Sequence, residues 1–246
     1  MEITKLSEYM AYVEGLDKGF CLSRGQSQDY PLLPSALRRD ESGNRKYPKR
    51  AIRTFLEEFK INSYQYMPNP WDIKNDVEWM LYAQHYGIPT RLMDFTTSHI
   101  TSLLFAVEKS FQHDIDKDAV VYFLNPSMLN MKFKQQMSII NISSESKHSL
   151  EGLDGPVVIQ GRKINPRVNA QKGLFVLFQD DNEPLDKIND ESILKKITVK
   201  SEYTKEILVS LYSMGITFSH IYPELSSVAK DILMQQDIND FIREDS

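Results

Sequence analysis

The spacing of apolar residues changes at about Asp118, and this change constrains the fold more than any other feature. Before it, apolar side chains recur every three or four positions, which is typical of amphipathic helices. After it, short β-rich runs bounded by Gly, Pro, Asn or Asp predict strands, and helical spacing returns near the C-terminus. The predicted helices cover residues 3–15, 51–61, 72–86, a stretch from Thr97, 202–214 and 225–235. The predicted strands cover residues 119–125, 155–161, 173–179 and 195–201, with a brief buried strand earlier at 19–25.

Helices that come first and strands that come later favour an α+β class over regular βαβ alternation. We predict a helical N-terminal half packed on a small mixed or antiparallel sheet. Because 246 residues with 41% hydrophobic side chains can bury a sizeable core, and no repeat or linker interrupts the chain, we expect a single domain over residues 1–246. Residues 130–154 are polar enough to form a mobile loop.

Net charge, apolar runs, cysteine count and missing motifs exclude several classes of function. A formal net charge of -5 does not favour nucleic acid as a partner, although the basic loop at residues 45–50 keeps it as a weak alternative. No apolar run approaches the roughly 20 residues of a membrane span. The N-terminus lacks a signal peptide, and the single Cys21 cannot form an internal disulfide, so we expect a cytoplasmic protein with a buried thiol and no membrane contact. No zinc-ligand, P-loop, GxGxxG or GxSxG motif occurs, so we expect no metal.

The tetrapeptide Ser23-Arg24-Gly25-Gln26 is the first candidate binding segment. A glycine beside Arg24 lets backbone approach a ligand closely, and arginine offers a rigid fork of donors suited to phosphate or carboxylate. The alternative is a surface arginine or a structural ion pair.

The segment AQHYGIPTRLMDFT, residues 83–96, concentrates ionisable groups at what the periodicity predicts to be a helix-to-helix corner. Helix caps account for part of this, since Arg91 or His85 can satisfy terminal carbonyls and Asp94 can begin the next helix. Two cations, a phenol and a carboxylate exceed what caps require. We therefore predict a cleft shared with Arg24, in which Arg24 and Arg91 hold phosphates. His85 would orient a ribose, and Asp94 would fix Arg91.

Two further candidates lie nearer the C-terminus. Gln171 and Phe175 belong to QKGLF, whose glycine at the start of a strand indicates a bulge or a close ligand approach, or only a turn. Glu224 lies where a helix starts, so the ordinary interpretation of its charge is a partner for the helix dipole.

Four segments occur in the order of a known domain family: SRGQSQDYPLLPSALRR, AQHYGIPTRLMDFT, NPRVNAQKGLFVLF and GITFSHIYPELSSVAKDI. They resemble the FRG domain family, named for a Phe-Arg-Gly motif, and the resemblance spans about residues 18–233. Ser23 stands where the family name expects phenylalanine, while Arg24 and Gly25 match. Phe95 stands where tryptophan is common, and Glu224 where aspartate is usual.

The resemblance implies an ADP-ribosyltransferase-like fold and a nucleotide-binding enzyme, with NAD as candidate substrate, an unknown acceptor macromolecule, and a toxin or antiphage role. ADP-ribosyl transfer needs a cation for the pyrophosphate, a ring beside the ribose, and a carboxylate for the developing positive charge. The residues implied as catalytic are Arg24, His85 and Glu224, and those implied as cofactor-binding are Arg24, Gln26, Tyr86, Arg91, Gln171 and Phe175. The alternatives are a noncatalytic FRG-type binding module and a nucleic-acid-directed enzyme.

Overall fold

The structure is a computed structural model that describes residues 1–67, 69–112, 117–142, 153–161 and 173–244. These residues contain eight α-helices and eight strands, which confirms the predicted α+β class. The helices are α1 (Leu6–Glu14), α2 (Lys49–Ser63), α3 (Asp76–His85), α4 (His99–Val107), α5 (Pro126–Lys134), α6 (Thr204–Ser213), α7 (Phe218–Ile221) and α8 (Leu225–Glu244). Among the described residues, no helix is long and apolar enough to cross a membrane.

The strands form one eight-stranded open sheet in the order β1-β8-β4-β2-β3-β7-β6-β5. In chain order they are β1 (Glu2–Ile3), β2 (Leu22–Gln26), β3 (Leu92–Thr96), β4 (Ala119–Leu124), β5 (Ile140–Asn141), β6 (Val157–Gln160), β7 (Gly173–Leu177) and β8 (Leu194–Val199). The outer pairs β1–β8 and β5–β6 are parallel, and the inner pairs are antiparallel. The sheet is thus mixed, as predicted. It is not small, and the N-terminal half contributes β1, β2 and β3 to it.

Both faces of the sheet are covered by apolar side chains. On β4, Val121 and Phe123 join a core built with α1, α4, α6, α7 and α8. Their neighbours Val120 and Leu124 join a second core with residues 32–37 and side chains from α2 and α5. A third cluster packs α3 against β3, β5, β6 and β7. Burial on both faces is what permits the near-continuous apolar runs of these strands.

The prediction of a helix-to-helix corner at residues 83–96 is wrong in its second half, because Leu92–Thr96 form β3. Leu92 faces the cluster beneath α3, whereas Met93 faces the core on the opposite side of the sheet. With both neighbours buried, the alternation that identifies a strand in the sequence is lost.

The prediction of a mobile loop at 130–154 is wrong for its described N-terminal part, where α5 continues to Lys134 and β5 follows. Asn125 caps α5 by accepting a hydrogen bond from the Met128 amide (3.2 Å). Asn130 is fully buried, donates to the carbonyls of Ser138 and Val158, and accepts from the Val158 amide. Because the buried Asn130 is polar, the apolar face of α5 was not recognised in the sequence.

The thiol of Cys21 is exposed, so the prediction of a buried cysteine is wrong. The strand begins one residue later, at Leu22, and Phe20 and Leu22 on either side of the cysteine point into the core. Phe20 packs in the core that contains Val121, and Leu22 packs in the core on the other face of the sheet, so Cys21 lies where the chain passes from one face to the other.

Helix α4 packs directly on β2 because Gly25 has no side chain. A Cβ atom at this position would overlap the carbonyl oxygen of Ser102 and lie 2.8 Å from the amide nitrogen of Ala106. Both obstacles are helix backbone, which cannot rotate away. The close approach of α4 to β2 fixes one wall of the site described below.

We predict that Gly25→Ala lowers the free energy of unfolding by on the order of 1–3 kcal/mol or more, because the added methyl group forces α4 away from the sheet. Chemical denaturation measures this change. The control is Gly15→Ala, whose Cβ would meet the Ala11 carbonyl at an ordinary 3.5 Å. A Gly25→Ala protein as stable as the Gly15→Ala protein would contradict the packing described.

Candidate functional site

Strands β2 and β3 separate soon after they meet. β2 pairs with β4 over five residue pairs, whereas its register with β3 contains the single pair Ser23–Thr96. Beyond that pair, Nη1 of Arg24 crosses the gap and donates a hydrogen bond to the main-chain carbonyl of Asp94 (2.7 Å). An arginine side chain thus replaces part of a backbone ladder, and a cleft opens where the strands diverge.

Arg24 forms the floor of this cleft. Part of its side chain remains accessible, but Nε is buried and has no hydrogen-bond partner among the described residues. Burial lowers the pKa of the guanidinium, the Asp94 carboxylate raises it, and the positive charge of Arg38 lowers it again. Arginine stays charged under all ordinary conditions. The floor therefore carries a buried cation with an unused donor and a second cation nearby.

The cleft has a volume of about 1130 Å³. Its lining mixes positive charge, aromatic rings and carboxylates. The cations are Arg24, Arg38, Arg39, Lys46 and Lys109, the rings Tyr30, Phe95, Phe105 and Tyr222, and the carboxylates Asp40, Glu41, Asp94, Glu108 and Glu183. Such a surface suits a polar ligand that carries both negative charge and a flat apolar part.

Three of these cations belong to a basic hairpin, residues 38–46. Main-chain hydrogen bonds from Lys46 to Arg38 and from Asp40 to Asn44 form the hairpin. Arg39 pairs with Glu183 (3.5 Å) across the cleft mouth. The hairpin therefore contributes three cations to the cleft lining and contacts the loop that carries Glu183 through an exposed ion pair.

A buried polar network fixes β2 to α4 behind the cleft. The hydroxyl of Ser23 lies 2.7 Å from Nδ1 of His99 and 2.8 Å from the hydroxyl of Ser102. Burial lowers the pKa of His99, and a hydrogen bond to the backbone of Phe20 partly offsets this. A neutral imidazole can accept a hydrogen bond from the Ser23 hydroxyl at Nδ1. This network gives a physical reason for serine at position 23, a role that sequence reasoning missed.

The cleft contains only part of the predicted site. Arg24 and Gln26 both line it, and Gln26 donates from Nε2 to the Tyr30 carbonyl (2.9 Å). His85 and Tyr86 lie at the end of α3, outside the lining, with their rings 4.8 Å apart. The side chain of Tyr86 is 67% exposed. The expectation that His85 shares a hollow with Arg24 is therefore wrong for this structure.

The predicted Arg91–Asp94 pair is also wrong. Arg91 pairs with Asp180 (3.7 Å) and donates to Oε1 of Gln179 (3.3 Å), while Asp94 accepts from Nε2 of Gln84 (2.8 Å). Because β3 is a strand, which advances about 3.3 Å per residue, Arg91 lies roughly 10 Å along the chain from Asp94. Asp94 lines the cleft and Arg91 does not.

The C-terminal candidates lie apart from Arg24 or outside the described residues. Phe175 is buried in the cluster beneath α3, on the opposite side of β3 from β2. Glu224 is exposed just before α8 and accepts a hydrogen bond from Ser226 (2.7 Å). Neither lines the cleft, so the expectation of one shared hollow is wrong for them too. Gln171 lies outside the described residues.

A comparison with known families matches a segment that contains most of the cleft lining, although Glu183, Pro184 and Tyr222 lie outside it. The FRG domain model matches residues 21–115. The FRG match contains both strands that border the gap, together with the basic hairpin and α4. It supports the resemblance over this segment and does not extend to the ADP-ribosyltransferase-like fold. No curated protein and no solved structure matches the chain.

Asp231 of α8 positions the segment that carries Tyr222 into the cleft. Its carboxylate accepts hydrogen bonds from the amides of Phe218 (2.9 Å) and Ser219 (2.8 Å) and from the hydroxyl of Tyr212 (2.8 Å). Burial raises the pKa of this carboxyl, but the hydrogen bonds, led by those from Ser219, hold the pKa below its ordinary value. The folded state therefore favours the ionised carboxylate.

We predict that Asp231→Asn lowers the free energy of unfolding at about pH 7 by on the order of 1–3 kcal/mol, because charge-assisted hydrogen bonds are lost. A depressed pKa stabilises the fold above the unfolded-state value of about 3.9 and loses that effect as pH falls through the lower folded-state value. The difference between wild type and variant should therefore shrink below about pH 4. Denaturation over this pH range tests it, with exposed Asp237→Asn as control; a pH-independent difference would contradict the assignment.

Proposed function

We propose that the cleft binds a phosphate-bearing ligand of nucleotide size, with Arg24 as its anchor. The observation that carries this proposal is the buried Nε of Arg24, a donor without a partner among the described residues, beside the like charge of Arg38. A buried donor without an acceptor and two neighbouring cations are each unfavourable. An anion between them would accept from this donor and offset the charge of Arg38, whereas the charge of Arg24 is already partly offset by the Asp94 carboxylate.

The dimensions and charges of the cleft support a nucleotide over a simple ion. A volume of about 1130 Å³ exceeds what phosphate alone would fill. Guanidinium forks match phosphate oxygens in two parallel hydrogen bonds, and Arg38 and Lys46 of the basic hairpin provide cations for a second phosphate, while Arg39 is paired with Glu183. NAD, which the FRG resemblance implies as candidate substrate, has the required pyrophosphate.

Transfer of ADP-ribose from NAD, in a toxin or antiphage role, is the enzymatic form of this proposal. In that reaction the bond between nicotinamide and C1′ of the ribose breaks, nicotinamide leaves with the bonding electrons, and an acceptor nucleophile bonds to C1′ and loses a proton. A carboxylate near C1′ stabilises the positive charge that develops there. Asp94 favours this candidate because it lies on β3 across the gap from Arg24 and lines the cleft. We assign the role to Asp94 in place of Glu224.

We predict that Arg24→Lys and Arg38→Gln each weaken binding of ADP and NAD by about 10- to 100-fold, because each removes charge-assisted hydrogen bonds worth roughly 1.5–3 kcal/mol. Lysine keeps the charge at position 24 but loses the fork. Isothermal titration measures the affinities, and unchanged circular dichroism verifies the fold. Arg53→Gln, an exposed arginine of α2 outside the cleft, is the matched control. Unaltered affinity in both cleft variants, or no nucleotide binding by wild type, overturns the proposal.

For the enzymatic form, we predict that wild type releases nicotinamide from NAD and that Asp94→Asn reduces this rate by on the order of 100-fold, through lost stabilisation of the transition-state charge. Chromatography of free nicotinamide measures the rate. Glu224→Gln is the comparison variant and should react like wild type. The reverse pattern would assign the carboxylate role to Glu224. Tight NAD binding with no nicotinamide release would identify a noncatalytic binding module.

A further inference from the structure

Two aromatic rings in contact, a partly exposed Phe105 and a Tyr222 that is only 7% exposed and supports it from the core, form one apolar part of the cleft wall. Phe105 of α4 and Tyr222, the residue after α7, both line the cleft, with ring centroids 5.8 Å apart and planes tilted by 38°. Phe105 remains partly exposed there, although its neighbours Leu104 and Ala106 are buried. An aromatic ring that faces water in a charged cleft gains free energy when a flat apolar group covers it.

The wall is held on rigid parts of the fold. Ser102 and Phe105, three residues apart on α4, face the cleft together, and Gly25 holds this helix face against β2. Tyr222 follows the segment whose amides bind the Asp231 carboxylate. A surface prepared before the ligand arrives loses less conformational entropy on binding.

The wall also lies within reach of the anchor. Arg24, Phe105 and Tyr222 all line the same cleft. In a nucleotide the base and the phosphates are joined through a single ribose. A ligand whose phosphates bind Arg24 can therefore place its base beside Tyr222 and Phe105.

We propose that Phe105 and Tyr222 form the base-stacking subsite of the cleft and make it selective for nucleotides over inorganic polyphosphates. This inference rests on the proposed function, since the phosphates must first bind Arg24. Every nucleobase offers a flat π-face, so the subsite selects for the presence of a base rather than for its identity. Stacking on one aromatic side chain strengthens binding by about 5- to 100-fold.

The test compares ADP with inorganic pyrophosphate, which has the same diphosphate group and no base. Isothermal titration of wild type should give tighter binding of ADP than of pyrophosphate. Phe105→Leu should weaken ADP binding by about 5- to 100-fold and leave pyrophosphate binding unchanged. Phe105→Trp, which keeps a flat ring, should retain the preference for ADP. The control is Phe111→Leu, because Phe111 packs on Phe241 outside the cleft.

The outcomes separate the two proposals. If pyrophosphate binds wild type but ADP binds no more tightly, or Phe105→Leu keeps the full preference for ADP, the stacking subsite is wrong and the phosphate anchor stands. If neither ligand binds wild type, the proposed function fails and the subsite fails with it. Equal losses of ADP and pyrophosphate binding in Phe105→Leu would show a general disturbance of the cleft and would also overturn the subsite.

Discussion

The hydrogen bond from Arg24 to the Asp94 carbonyl joins β2 and β3 where their backbone pairing ends. A regular ladder here would have satisfied the Asp94 carbonyl without a side chain and left no cleft. An arginine costs more, because its charge is removed from water and its Nε finds no acceptor among the described residues. The centre of the sheet therefore contains a buried charge with an unsatisfied donor, and such unfavourable groups are common at binding sites.

The rest of the fold makes this arrangement rigid. Apolar cores on both faces hold the strands, and α4 lies against β2 because Gly25 leaves space for its backbone. The Ser23–His99–Ser102 network adds directional contacts at the same junction. Because α4 and the Ser23–His99–Ser102 network hold β2 in place, the backbone at Arg24 cannot readily move to give its guanidinium another partner. A cationic group that is already held in place loses less conformational entropy if a ligand binds to it.

The sequence predicted those parts of the structure that are determined by a local pattern of residue types. Most amphipathic helices and four of the five strands described after Asp118 follow from hydrophobic spacing, and the residue types at Arg24 and Gly25 predicted a position beside a cleft, where the structure places them. β3 was missed because Leu92 and Met93 face different cores, which removes the alternation. Phe105 and Arg38 were missed because their place in the cleft depends on how α4 and the basic hairpin pack, which no local pattern encodes. His85 and Glu224 were wrongly grouped with Arg24 because the local sequence around each residue does not determine how far apart they lie in the folded chain.

The central claim is that an anion occupies the gap at Arg24, and nuclear magnetic resonance of the Arg24 Nε–H group tests it most directly. The resonance can be assigned by its loss in Arg24→Lys and followed while inorganic pyrophosphate is added. Our account predicts that it shifts in a saturable manner, because Nε gains the acceptor it lacks, while the Nε–H resonance of Arg53 on exposed α2 stays in place. An Arg24 resonance that does not move at millimolar pyrophosphate, or that moves only in step with Arg53, would contradict the account.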